Sequence, residues 1–187
     1  MSVFGTSCLY RLTSLCILVS LLLLLVPPVF PLLTDKNHLH HYSIMHYLAI
    51  TNRANWEIIK KKGIWGVPER HRRVLESLKP GDRLFIYVKQ EREKDKILEP
   101  AIVALVEVIS EPFKESSKVF KAPPHRSNEG YPYRVRIKVL EEYNPPKPFK
   151  PLIPKLELFK GKKRWTAALR GRSLVPLSAD DVRVIVG

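Results

Sequence analysis

Between residues 45 and 187 short apolar runs alternate with polar breaks, and most of the runs are too short for helices. MHYLAIT (residues 45–51) and RLFIYV (83–88) are rich in β-favouring side chains and predict strands. AIVALVEVI (101–109) is so uniformly apolar that it predicts a central strand covered on both faces. YRVRIKVL (133–140) alternates cations with branched apolar residues. That period of two predicts a half-buried strand with Arg134, Arg136 and Lys138 on an exposed face. RSLVPL (172–177) predicts a last strand. Two helices are expected before the second strand. WEIIKKK (56–62) has Asn55 in place as an N-cap, lysines in its last turn and Gly63 to end it. The second, over 69–78, would bury Val74, Leu75 and Leu78. KPGD (79–82) is a turn by its Pro and Gly, and KQEREKDKILEP (89–100) a solvated hairpin arm. NPPKPFKPLIP (144–154) holds too many prolines for a regular element. Ser178 is placed to cap ADDVRVIV (179–186), which carries two acids in its first turn. Strands outnumber helices without a βαβ rhythm. The expected fold is mixed α/β, a small β-barrel with short helices at its edge.

The first 44 residues are unlike the rest. Residues 12–33, LTSLCILVSLLLLLVPPVFPLL, carry no charge and are long enough to span a bilayer. Three readings compete: a signal peptide, a membrane anchor, or translation from a start codon placed too far upstream. Arg11 is the one basic residue before the run and no A-x-A site follows, which weakens the first. Pro27 and Pro28 and the weak flanking charge weaken the second. The third is preferred because Met45, one of only two methionines, directly precedes the first strand. It divides the chain into an extension, 1–44, and one domain, 45–187. It also places the protein in the cytoplasm, whereas an anchor would hold it at a membrane.

Charge narrows the partners. The chain holds 32 Lys and Arg against 18 Asp and Glu. Residues 1–44 contain two basic residues and one acid, so the domain keeps 30 basic and 17 acidic, a net of +13. A surplus of this size points to a polyanion, either nucleic acid or an anionic membrane surface. A heat-adapted surface would raise Glu along with Lys and leave the net near zero. Both cysteines, Cys8 and Cys16, lie in the extension, so the domain has no thiol chemistry and no disulfide. Its histidines, His46, His71 and His125, lack metal-ligand spacing, and no nucleophile elbow, P-loop or dinucleotide glycine pattern occurs. No cofactor, no metal and no catalytic residue is expected.

Binding chemistry is better represented. In TNRANWEIIKKKGIWG (51–66), Asn52 and Asn55 sit on a strand-to-helix turn, and Trp65 returns between Gly63-Ile64 and Gly66. Carboxamides can pair with a base edge, and an indole can stack on its face. Glycine neighbours let a flat ligand approach, so Trp65 is expected to be open to solvent in the free protein. Helix capping by Asn55 and core packing by Trp65 are the structural alternatives, and Trp56 is expected in the core. KGKKRWTAALRGRS (160–173) interleaves Lys163, Arg164, Arg170 and Arg172 with Trp165, as phosphate contact plus stacking would require. Lys62, Arg70, Arg72 and Arg134 are expected to extend this phosphate-binding surface.

YLAITNRANWEIIKKKGIWGVPERHRRVLESLKPGDRLFIYV, LEPAIVALVEVISEP, YPYRVRIKV, KKRW and SLVPLS together closely resemble EVE-domain proteins, in particular the archaeal UPF0310 group. The resemblance covers residues 45–187. It implies a PUA-like barrel related to YTH domains, which read a methylated adenine in RNA, and hence a pocket for a modified or flipped base of DNA or RNA. In YTH domains an Asn-bearing strand–helix turn is followed by G-[VI]-W, whose Trp is one wall of the pocket. Asn52, Asn55, Gly63, Ile64 and Trp65 fall in that order here, with a one-residue gap at Asn52. Gly66 would offer a backbone N–H where YTH domains usually have Ser. Tyr133 and Trp165 are the candidates for a second wall. The competing readings are a membrane-anchored basic domain and an enzyme acting on nucleic acid.

Overall fold

The computed structural model describes residues 43–187. The uncharged run 12–33, and with it the choice among start, anchor and signal, lies outside the described residues. Among the described residues no helix is long and apolar enough to cross a membrane.

In chain order the elements are β1 (His46–Thr51), α1 (Arg53–Lys62), β2 (Ile64–Val67), α2 (Arg72–Glu76), β3 (Arg83–Val88), the hairpin β4 (Glu91–Glu93) and β5 (Lys96–Leu98), and β6 (Ala101–Val108). There follow β7 (Phe113–Lys114), β8 (Tyr133–Pro148), α3 (Trp165–Leu169), β9 (Leu174–Leu177) and α4 (Ala179–Val186). One curled half-barrel sheet runs in the order β2-β8-β6-β3-β1-β9, with β7 also beside β8. β1 and β3 are parallel; their register pairs Ile50 with Tyr87 and Thr51 with Val88, so both strands end at one level.

The sheet is covered on both faces, which explains its near-continuous apolar strands. On one face Tyr47, Ala49, Leu84, Ile86 and Val106 pack with Trp56 and Ile59 of α1 and with Trp65 and Val67 of β2. On the other Leu48, Phe85, Tyr87 and Ile102 meet Phe149, Phe159, Leu169 and Ile185. Each such large apolar side chain contributes about 1.5–3 kcal/mol on burial. Trp56 belongs to the core as expected, being 5 % exposed.

Three expectations change. Helix α1 begins earlier than expected: Asn52, not Asn55, is its N-cap, the Asn52 side chain accepting from the Asn55 N–H at 2.7 Å. Gly63, at φ 62°, closes the helix in the left-handed region that glycine adopts without strain. The helix expected over 69–78 is a 3₁₀ turn, Glu69–His71, followed by the five residues of α2. The proline-rich run is not excluded from the sheet, because β8 continues to Pro148. The register steps from Ala104–Glu142 to Ile102–Lys147, so Asn144, Pro145 and Pro146 fall in a bulge where missing N–H groups leave no ladder bond unmade. Ser178 does cap α4, in a reciprocal box with Asp181.

The sheet ends in β9. Ile50 donates to the Ser173 carbonyl, and this register makes Leu48–Val175 and His46–Leu177 the bonded pairs. Pro176, opposite Tyr47, therefore turns its nitrogen away from β1, and its side chain is exposed.

Candidate functional site

Where β1 and β3 end together, the chain leaves a cavity of about 610 Å³. Ile50, Thr51 and Tyr87 come from the strand ends, Asn52, Asn55 and Ile59 from the start and inner face of α1, and Trp65 and Gly66 from β2. The segment between β7 and β8 supplies Phe120, Arg126, Glu129 and Tyr131, and residues 165–173 supply Trp165, Arg170 and Arg172. The volume falls within the range of ~300–1,000 Å³ typical of small-ligand pockets.

Of the residues expected to hold a base, Asn52, Asn55, Trp65, Gly66 and Trp165 all line this cavity. Tyr133 does not; it lies in β8 between β2 and β7, and its hydroxyl donates to Glu69 at 3.0 Å. The tyrosine of the cavity is Tyr131, two residues before the strand, with its ring tilted against Phe120 at 5.5 Å. Trp165 packs one side on Phe149 and Phe159 of the second core while lining the cavity.

Trp65 is not open to solvent. It is 2 % exposed, a member of the first core, and its Nε1 has no partner. The ring of Phe120 closes instead over Gly66, its neighbour in β2. A Cβ at Gly66 would lie 2.5 Å from Phe120 Cε2, well inside contact distance. The second glycine thus admits a phenyl ring of the protein itself. Gly66→Ala is expected to cost about 1–3 kcal/mol by forcing that ring aside. The loss should be much smaller in a Phe120→Leu background, which a double-mutant cycle by thermal unfolding reads directly.

Both asparagines are occupied. Asn52 gives its oxygen to the helix cap. Asn55 is 6 % exposed; its Nδ2 donates to the Lys121 carbonyl at 3.0 Å, and its Oδ1 accepts from the Lys121 N–H at 2.8 Å. Asn55 therefore clips the β7–β8 segment to α1.

The cations sort by position. Arg70, Arg170 and Arg172 line the cavity, and Arg126 and Lys89 join them. Lys163 and Arg164 are exposed but do not line it. Lys62 lies at the far end of α1, about 15 Å along the axis from Asn52. Arg72 is outside as well, over the Tyr133 ring and bonded to Glu76 at 2.6 Å. Arg134 corrects the expected cationic face: it is 1 % exposed. Here β8 has β2 on one side and β7 on the other, and the β7–β8 segment covers the guanidinium. Arg134 donates to the Tyr131 carbonyl at 3.0 Å, to the Ser117 hydroxyl at 2.9 Å and to the Ser117 carbonyl, and pairs with Glu115 at 2.8 Å. The Ser117 hydroxyl and Arg134 together hold the Glu115 carboxyl below its usual range. Arg134 thus secures the wall that carries Phe120 and Tyr131.

Two polar clusters complete the cavity. Arg70 pairs with Glu129, and Arg126 reaches the same Glu129 oxygen at 3.4 Å. His71 Nδ1 is bonded to the Ser173 hydroxyl. Burial and then Arg70 lower the His71 pKa below its ordinary value, so the positive charge of the cavity comes from the arginines and Lys89. Burial raises the Tyr131 hydroxyl and pushes that of Tyr87 up to about 12, keeping both protonated. Phe120, Arg126, Glu129 and Tyr131 were missed in the sequence because their segment has no periodicity. The signal available was a density of aromatic and charged residues in an otherwise irregular run.

The EVE domain family profile matches residues 45–187. The chain is an EVE-domain protein. Its fold is the PUA-like one expected of that family. This EVE domain is 45 % identical over 140 residues to a UPF0310 protein of Pyrococcus abyssi, covering 75 % of this chain and 96 % of that one. It is 46 % identical over 144 residues to a UPF0310 protein of Pyrococcus horikoshii, covering 75 % and 95 %. Among solved structures, a Pseudomonas putida protein superposes with a TM-score of 0.53 at 16 % identity, covering 75 % of this chain and 97 % of that one. Human THYN1 protein, in complex with 5-methylcytosine-containing DNA, superposes with 0.52 at 18 % identity, covering 76 % and 95 %. At these identities the two structures share the fold of this EVE domain.

Proposed function

We propose that this EVE domain is a nucleic-acid-binding module that takes one flipped or unpaired base, in particular a modified one, into the cavity at the ends of β1 and β3, without performing chemistry on it. The observation that carries the reading is the convergence of Trp65, Trp165, Phe120 and Tyr131 with Arg70, Arg126, Arg170 and Arg172 around one cavity. The aromatic rings supply flat apolar walls for a base, and the arginines supply phosphate contacts around it. Asn52, whose oxygen is committed to the helix, keeps its amide nitrogen for an acceptor on the base. The binding of 5-methylcytosine-containing DNA by human THYN1, a protein of the same fold, supports the same class of ligand.

Stacking of one base contributes about 1–3 kcal/mol, so phosphate contacts must carry much of the affinity. Replacing Arg170 and Arg172 together with Ala is expected to weaken binding to single-stranded DNA and RNA of any sequence. The slope of log K against log salt should become shallower by about 1–2. Arg70→Ala should change the slope less, because Arg70 is already paired with Glu129. Titration by fluorescence anisotropy at several salt concentrations checks this. An unchanged slope in the double variant would move the phosphate path elsewhere. Binding to phosphatidylserine vesicles with none to oligonucleotides would favour the membrane-bound reading.

A further inference from the structure

We propose that Glu129 reads the bound base, accepting through Oε2 a hydrogen bond from an amino group on the base edge, so that the pocket prefers amino-bearing bases such as cytosine to uracil. The inference rests on the base-capture reading and specifies its ligand.

The polar atoms expected to read the base are largely spent. Asn55 gives both ends of its carboxamide to the Lys121 backbone, and Asn52 gives its oxygen to the helix cap. His71 and Ser173 are bonded to each other. Among the described residues three buried side-chain atoms have no partner: Arg53 Nε, Trp65 Nε1 and Glu129 Oε2. Two are donors, and Arg53 is outside the cavity lining. Glu129 Oε2 is the acceptor.

Its setting suits a reader. The Glu129 side chain is only 13 % exposed, and Arg70 and Arg126 both act on Oε1. They fix the carboxylate from one side and leave Oε2 without a partner. A carboxylate has no hydrogen to give, so only a donor on the ligand can satisfy that oxygen. Cytosine offers an amino N–H where uracil offers a carbonyl, whose lone pairs would face the carboxylate. A buried charged acceptor left against such an edge loses its hydration without replacement. Sites built for a donor reject ligands lacking it for this reason. With Oε1 occupied, one N–H is enough. A monomethylated amino group therefore fits, and a dimethylated one does not.

The test uses the full chain and thymine strands of about a dozen nucleotides whose central base is cytosine, N4-methylcytosine, N4,N4-dimethylcytosine or uracil. Cytosine and N4-methylcytosine are expected to bind roughly 10- to 100-fold more tightly than the other two. In Glu129→Gln this preference should shrink to within about threefold, while the uracil strand binds at least as well as before, because Arg70 and Arg126 are released. Wild-type protein that ranks N4,N4-dimethylcytosine with cytosine, or a folded Glu129→Gln that keeps the preference, would remove Glu129 as the reader while leaving base capture intact. Wild-type protein that holds all four strands alike would likewise remove Glu129 as the reader, whereas wild-type protein that binds none of them would overturn base capture and this inference together. The four-strand comparison in wild type decides the matter even if the variant does not fold.

Discussion

Trp65→Ala is expected to cost about 3–5 kcal/mol of stability and to abolish base-dependent binding. The stability loss follows from burial: Trp65 sits in the first core with Val67 and Val135. Removing it leaves a cavity that rigid strands on both sides of the sheet cannot close, and Tm should fall by on the order of 10 °C. Binding is lost because the same indole lines the cavity. Trp65→Phe separates the two roles. Phenylalanine refills much of the core volume but gives a smaller stacking face and lacks the Nε1 donor. The variant should fold cooperatively, with most of its base preference gone. Calorimetry and oligonucleotide titration on both variants check this. Stability unchanged in the Ala variant would take Trp65 out of the core, and preference retained in the Phe variant would take it out of the site.

The same residue shows how far the sequence reaches. A Trp between glycines beside a lysine run falls on the cavity lining, and the small neighbour does mark a close approach. It does not reveal that the approaching group at Gly66 is Phe120, which lies 54 residues away in an irregular segment. Strands β1, β3, β6 and β9 are legible because their apolar runs have cores on both faces to fill. Strand β8 is legible only over its alternating half. Its alternation also misplaces Arg134, since period two assigns a face but cannot tell that another segment will cover that face. The prolines of β8 were misread for a related reason. Pro removes a donor, and only the bulge in the register shows that no partner needed it. The arginines of the pocket were legible as charge, but not in their division into rim and remote surface.

Arg134→Ala is expected to destabilise the protein by about 3 kcal/mol and to loosen the pocket wall without touching any ligand. Its guanidinium serves the Tyr131 carbonyl, both oxygens of Ser117 and the Glu115 carboxylate, and its loss removes all of these ties to the segment at once. Arg134→Lys should not rescue, because an ammonium cannot reach acceptors arrayed around a planar fork. Three readouts move together on this account: Tm falls, protease cleavage between residues 115 and 131 accelerates, and base preference weakens with an unchanged salt slope. A shallower salt slope would instead make Arg134 a phosphate ligand. Retained protease resistance would mean that the Asn55 clip to Lys121 holds the segment alone.

Pro176 bears on how these molecules behave beside one another in a crowded solution. An open sheet edge invites a second chain to add its own strand, which is how native proteins begin to aggregate through their β-structure. On β9 the proline nitrogen faces outward, at a position where any other residue would offer an N–H to that incoming strand. The last strand therefore keeps its bonded pairs with β1 and withholds from a would-be fibril the donor it would need there.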